Sequence, residues 1–395
     1  MLLAMGAGGA VGALAGEAAA AGAFLGDIFI RLLLLAAVPL LFLNLVAALA
    51  GARPAGGLGG VVARIGGWFA LTALLASGLG MAAVVLLGAG AGAGMALSGV
   101  STEAGGFASP EPVDFLLALV PESALGALSG GQIPAIVVFG LMLGAAARTL
   151  DAANRERVLE FAVTGAALFR RLVAGVLWFG PIGVAALTAA AVGEHGGALF
   201  GPLSRYVVAM WTAHAAVFVV YVAALRLGSR FRPIDFLRDT ATVWTTTSAT
   251  CSSLASLGAS LEAAERMRLP RAIYRFTLPL GAQFNKNGSA VLLAGGYLFT
   301  LQAVGIEVGT GQLVAGLALS AILSGAAPGV PNGGVVNQML LVQAFGLPVE
   351  LIVLIAGIYR LVDMPTTTLN ILGDLVATSV VAGRGAGRAP EGVSV

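Results

Sequence analysis

The sequence predicts an all-α integral membrane protein whose helices are interrupted by polar residues in the last third of the chain. Hydrophobic residues fill 58% of the 395 positions and charged residues only 10%, with a mean hydropathy of +0.96. A water-soluble domain needs far more surface charge, so lipid must surround most of this chain. Apolar segments recur from end to end, which makes the protein polytopic. After residue 240, polar motifs fall inside apolar stretches, where lipid-exposed backbone would not tolerate them.

The apolar segments come in order. The first, residues 2–15, is short for a span; it lacks the basic start and cleavage site of a signal peptide, so it is expected to be retained. Residues 27–50, 66–87, 113–147, 158–192 and 206–227 follow, each apolar around most of its circumference, as helices facing lipid and other helices must be. Arginines flank alternate loops: Arg53 and Arg64; Arg148, Arg155 and Arg157; Arg226, Arg230, Arg232 and Arg238; Arg384 and Arg388. The intervening loops carry Glu17, then Glu103, Glu111 and Asp114, then Glu194. The positive-inside rule then expects both termini in the cytoplasm and an even number of full crossings.

Composition narrows the chemistry further. The single cysteine, Cys251, excludes a disulfide framework and a cysteine-rich metal site. A net charge of +2 gives no case for nucleic acid. The chain has 21 Lys+Arg residues, and Lys286 is its one lysine. That lysine lies in an apolar stretch rather than a loop.

Four interrupted segments close the chain. Residues 242–260 hold TTTSATCSS, too polar for a lipid-facing span, with arginines on both sides. A segment that enters and leaves on one side, buried in protein, accounts for both features. Residues 320–347 behave likewise around SGAAPGVPNGG, and such paired interruptions point to a site made by discontinuous helices. Between them, residues 276–302 contain NKNGS, through which no helix passes unbroken. Last come residues 352–381 with DMPTTTLNILGD. Here Asp363, Asn370 and Asp374 stand at i, i+7 and i+11, on one helical face, beside Thr366, Thr367 and Thr368. Two carboxylates at membrane depth demand cations or strong donors. One is expected to hold a substrate ammonium, the other an inorganic or side-chain cation. The NKNGS break would offer carbonyl oxygens to a hard cation and half-helix N–H groups to a substrate carboxylate. No nucleophile–base set accompanies the carboxylates, which argues against an enzyme. His195 and His214 read as local hydrogen-bonding residues and Cys251 as a small packing residue.

FTLPLGAQFNKNGSA resembles the seventh-helix motif of the dicarboxylate/amino acid:cation symporter family, the glutamate transporter family, where the centre reads NMDGT. VDMPTTTLNILGD is similar to its eighth-helix motif, D-M-x-R-T-x-x-N-x-x-G-D. GDIFIRLLLLAAVP resembles the second helix and LSGGQIP the fourth-helix region. The resemblance implies eight transmembrane helices, two re-entrant hairpins, inverted repeats, a homotrimer and an elevator motion. It places the protein in a bacterial inner membrane as a carrier of a small amino acid, with sodium or a proton as the coupling ion and no other cofactor. Residues 1–65 and 113–238 would form mainly scaffold, with the sixth helix near 206–227 in the transport domain. That domain would take helix 3 (66–90), the first hairpin (239–270), the broken helix 7 (271–304), the second hairpin (310–347) and helix 8 (350–383), before a cytoplasmic tail (384–395). The implied substrate residues are Thr247, Ser248, Ser289, Val330, Gly334, Asp363, Thr366, Thr367 and Asn370. Gly281, Asn285, Asn370 and Asp374 match the family's first sodium site.

Two departures set the expectations apart from the family's. Thr366 replaces the arginine that clamps an acidic side chain, and Thr245 replaces the arginine before the serine-rich tip. Without a guanidinium a second substrate carboxylate lacks its bidentate partner, so a neutral amino acid such as serine, alanine or threonine is expected. The alternatives are an acidic amino acid or dicarboxylate symporter and an anion-conducting member. The second departure is Lys286 and Asn287 at the methionine and aspartate of NMDGT, with Ala73, Ala76 and Ser77 where another sodium site needs oxygens. Lys286 is therefore expected to stand in for bound sodium.

Overall fold

The computed structural model describes residues 1–51, 59–91, 120, 122–326 and 333–383. All regular structure among them is helical. Helix α1 spans Leu2–Ala15 and continues as a 3-10 helix over Gly16–Gly22, so the short first segment reaches membrane-spanning length. Then come α2 (Phe24–Gly51), α3 (Gly59–Leu87), α4 (Ala124–Ser129) and α5 (Ile133–Ala147). The 44-residue α6 (Ala152–His195) is started by Asp151, whose side chain accepts from the Ala153 and Asn154 N–H groups; α7 is Phe200–Gly228. The last part holds α8 (Pro233–Asp239), α9 (Ala241–Thr250), α10 (Leu257–Arg266), α11 (Arg271–Phe284), α12 (Asn287–Val304), α13 (Thr310–Gly325), α14 (Gly333–Ala344) and α15 (Glu350–Ala382). Among the described residues, six helical stretches are long and apolar enough to cross a membrane.

One expected span is divided. Residues 113–147 read as a single apolar run, yet α4 ends at Ser129 and α5 starts at Ile133. Gly131 takes a left-handed φ of +61, and Pro134 sits in the first turn of α5, where its missing N–H costs nothing. Residues 113–119 lie outside the described residues, as do Arg53, Glu103, Glu111, Arg384 and Arg388.

The helices form two bundles. In the first, α2 packs on α6 and α5, and α1 on α6. In the second, α12 lies at the centre, against α3, α15, α13 and α7. Helices α3 and α12 run the same way: Gly80 meets the Val291 backbone, Gly90 meets Phe299 and Ala303, and no side chain would fit at either glycine. Every residue of α12 except Gln302 and Val304 is buried, so no face of it meets lipid in the way a peripheral span does.

Each segment expected to form a hairpin contains a pair of helices in contact, α9 with α10 and α13 with α14. Arg266, at the end of α10, donates through Nε and Nη2 to the Asp239 carbonyl just before α9, at 3.1 and 3.0 Å. The entry and exit of the first hairpin are thereby held side by side. In the second, Asn337 of α14 donates to Leu323 O of α13 at 2.9 Å. Its tip, residues 327–332 with Val330, lies outside the described residues. Asn44 of α2 donates to Ala326 O at 3.2 Å, tying that hairpin to the first bundle.

Candidate substrate site

The break in the central helix is two residues long. Helix α11 stops at Phe284; Asn285 (φ −89, ψ 93) and Lys286 (φ −120, ψ 56) leave helical geometry, and α12 resumes at Asn287. Extended backbone there puts Lys286, only 2% exposed, in the protein interior. The strongest electrostatic partner of its ammonium is Asp374, and Asp363 follows. Asn285 Nδ2 donates to Asp374 Oδ1 at 2.9 Å. Gly281 sits so close to that carboxylate that any Cβ would overlap it, so only glycine lets α15 press its acid against α11. Asn287 Nδ2 donates to Tyr221 Oη at 2.8 Å, and Tyr221 in turn donates to Leu369 O at 3.1 Å.

Two N–H groups at the start of α12 are met from within the protein. Asn370 Oδ1 accepts from Gly288 N at 2.8 Å and from Ser289 N at 3.3 Å, while Asn370 Nδ2 donates to Ser289 Oγ at 3.3 Å. Helix N-termini leave orphan donors, and a side chain from α15 satisfies two of these. These amides were expected to face a ligand; two of them, Gly288 N and Ser289 N, donate to Asn370 Oδ1 instead. The oxygen of Asn370 is engaged within the protein.

Around Asp363, 6% exposed, a hydroxyl-rich wall forms. Thr367 Oγ1 points at Asp363 Oδ1 at 3.5 Å. Thr368 Oγ1 lies 2.8 Å from Thr247 Oγ1 and 3.5 Å from Ser248 Oγ, joining α15 to the first hairpin. Gly334 abuts the Tyr359 hydroxyl so closely that a Cβ would overlap it. Thr366 is only 2% exposed, and its hydroxyl lies 2.6 Å from Val362 O and 2.9 Å from His214 Nε2. Thr366 was expected to contact substrate; its hydroxyl is turned into the protein instead.

Arg360 corrects the expectation of a site without a guanidinium. It is exposed, one turn before Asp363, and Nη2 donates to Ala249 O at 2.6 Å and Ser248 O at 3.5 Å. These carbonyls end α9, where the helix dipole is negative and a cation is favoured. Cys251, in left-handed geometry with φ 48, follows at the tip, within electrostatic reach of both Asp363 and Arg360. Sequence reading missed Arg360, although one arginine inside an apolar helix, three residues before a key carboxylate, was the available signal.

The fit to a sodium ion is partial. Asn285 Oδ1, Asn287 Oδ1 and Ser77 Oγ are buried without a hydrogen-bond partner among the described residues. Oxygens of this kind suit a hard cation. Yet Asn370 Oδ1 is occupied, the Gly281 carbonyl already accepts from Asn285 N at 2.8 Å, and Lys286 brings a positive charge to the same carboxylate.

A central helix broken beside buried charges, flanked by two helix pairs in an all-helical chain with six stretches long and apolar enough to cross a membrane, fits the core of a solute carrier. Such a core holds its ligand at mid-membrane between discontinuous helices. The chain matches the Sodium:dicarboxylate symporter family over residues 1–384 and belongs to that family of membrane transporters. It is similar to the proton/glutamate-aspartate symporter of Bacillus subtilis (strain 168), 27% identical over 90% of this chain and 87% of that protein. It is also similar to the human neutral amino acid transporter B(0), 29% identical over 95% of this chain and 76% of that one. The proton/sodium-glutamate symport protein of Bacillus caldotenax is 27% identical over 91% and 86%. The family transports amino acids and dicarboxylates; it is not a family of enzymes.

Proposed function

We propose that this protein is a secondary carrier of a small neutral amino acid, in the class of serine, alanine and threonine, with sodium coupling reduced or lost. The observation that carries the reading is Lys286. A sodium ion would bring one positive charge to Asp374; Lys286 brings the same charge on a tether, from a buried position at the helix break. Neutral substrate selectivity is supported by Thr366, which supplies no cation. Asp363 then meets the substrate ammonium, with Ser248, Ser289 and Thr367 nearby. Transport would run by elevator motion of the second bundle against the first, within a homotrimer in a bacterial inner membrane, both termini cytoplasmic.

One observation favours a second reading. Arg360 places a guanidinium near Asp363, and an acidic substrate would use it; glutamate and aspartate symporters stand among the relatives. Uptake into proteoliposomes decides between them. The first reading expects serine or alanine to compete strongly, aspartate weakly, and uptake to persist with choline replacing all sodium. Strong competition by aspartate alone would establish the second. An absolute sodium requirement would remove the tethered-cation role of Lys286, and uptake across two pH values would show a proton as coupling ion.

A further inference from the structure

His214 lies in the middle of α7, 3% exposed, and the transport reading gives it no task. Both ring nitrogens are engaged. Nδ1 faces the Met210 carbonyl one turn back, and Nε2 lies 2.9 Å from the Thr366 hydroxyl of α15. A carbonyl oxygen only accepts, so Nδ1 carries a proton. With uncharged partners on both sides and no exposure, the neutral ring is the form that burial favours, and Nε2 is then an acceptor. The Thr366 hydroxyl has one proton and two acceptors in reach, His214 Nε2 and Val362 O at 2.6 Å. Either choice commits that proton to the protein.

Thr366 is also fixed from its other side. Gly288, in the first turn of α12, lies so close to the Thr366 backbone that a Cβ would overlap it. The residue is therefore held between two other helices, α7 and α12. The tautomer set by Met210 leaves Nε2 free to accept from the hydroxyl, which it shares with Val362 O, and the imidazole stands against it from α7. A longer, cationic side chain at this position would have to displace the ring.

We infer that His214 is a specificity-determining positioning residue. It holds Thr366 as an uncharged, hydrogen-bonded end wall, so the pocket accepts a short neutral side chain and has no place there for a carboxylate or its counter-charge. Selectivity then belongs to the His214–Thr366 pair, not to Thr366 alone. This rests on the reading of a neutral substrate.

The experiment compares wild type with H214A, T366V, T366S, T366R and the doubles H214A/T366V and H214A/T366R, reconstituted in proteoliposomes. The readout is the ratio of inhibition constants for serine and aspartate. That ratio separates selectivity from a general loss of folded protein, which would lower both together. T366S keeps the hydroxyl and should keep the wild-type ratio. H214A and T366V each break the same bond and should shift the ratio by a similar factor, about fivefold to tenfold, with H214A/T366V adding little more. T366R alone should lose serine without gaining aspartate, whereas H214A/T366R should bind aspartate at least about tenfold better than T366R.

Two results overturn the inference: additive shifts in the H214A/T366V cycle, or T366R binding aspartate as well as H214A/T366R does. The first needs no arginine variant to fold. If wild type itself prefers aspartate, the neutral reading fails, while the coupling in the cycle still reports whether His214 positions Thr366.

Discussion

Helix α15 carries two buried carboxylates eleven residues apart, Asp363 and Asp374, roughly 16 Å along its axis, and they sit in opposite circumstances. Asp374 is 1% exposed, pressed against the Gly281 backbone, bonded to Asn285 and electrostatically joined to Lys286. Asp363 is 6% exposed, among threonine hydroxyls, one turn from the exposed Arg360 and near a hairpin tip. Each has a cation in its neighbourhood. In the first cluster both charges are interior, and removing one strands the other in low dielectric. In the second the cation is at the surface and is bonded to the end of α9. Under the proposed function, the first cluster would serve integrity and ion coupling and the second what is bound.

The largest expected effect lies in the buried cluster. K286M or D374N alone should cost about 3–5 kcal/mol, because the remaining charge loses its partner. The double K286M/D374N should recover a good part of that loss in denaturant unfolding of the purified protein. Additive losses would show that the two charges do not act as a pair. D363N comes next. Its stability should stay close to wild type while serine affinity drops by about 1.5–3 kcal/mol, the worth of a hydrogen bond to a charged group. A D363N protein that binds serine normally would break the division between the clusters.

Arg360 gives a smaller, kinetic effect. R360Q removes the donors to Ala249 and Ser248 carbonyls, so the buried Cys251 should react with a maleimide about tenfold faster, and R360K should fall between. Since Cys251 is the chain's one cysteine, labelling reports on that tip without further engineering. Unchanged labelling would mean the guanidinium does not hold the tip. Smallest of all, E262Q removes an exposed partner 3.8 Å from Arg266 and should change stability by no more than about 0.5 kcal/mol.

Much of the architecture was legible in the chain. Hydropathy located the spans, because burial in lipid is a local property that each segment must satisfy for itself. NKNGS marked the break at Asn285–Lys286, and TTTSATCSS and SGAAPGVPNGG marked two hairpins, since polar runs at depth need protein cover. The run 113–147 misled because its apolar arms dominate, although Pro121, Glu122, Gly130, Gly131, Gln132 and Pro134 lay within it as signals of an interruption.

The site was legible as a set of residues, not as a set of partnerships. Asp363, Asn370 and Asp374 declared themselves by spacing on one face. That Asn370 would cap α12, that His214 would take the Thr366 hydroxyl from 152 positions away, and that Arg360 would reach the first hairpin were decided by tertiary structure. A side chain's hydrogen bond goes to whichever group packing brings within about 3 Å. Sequence determines which groups must find partners in a dry interior; only the fold determines which partner each one finds.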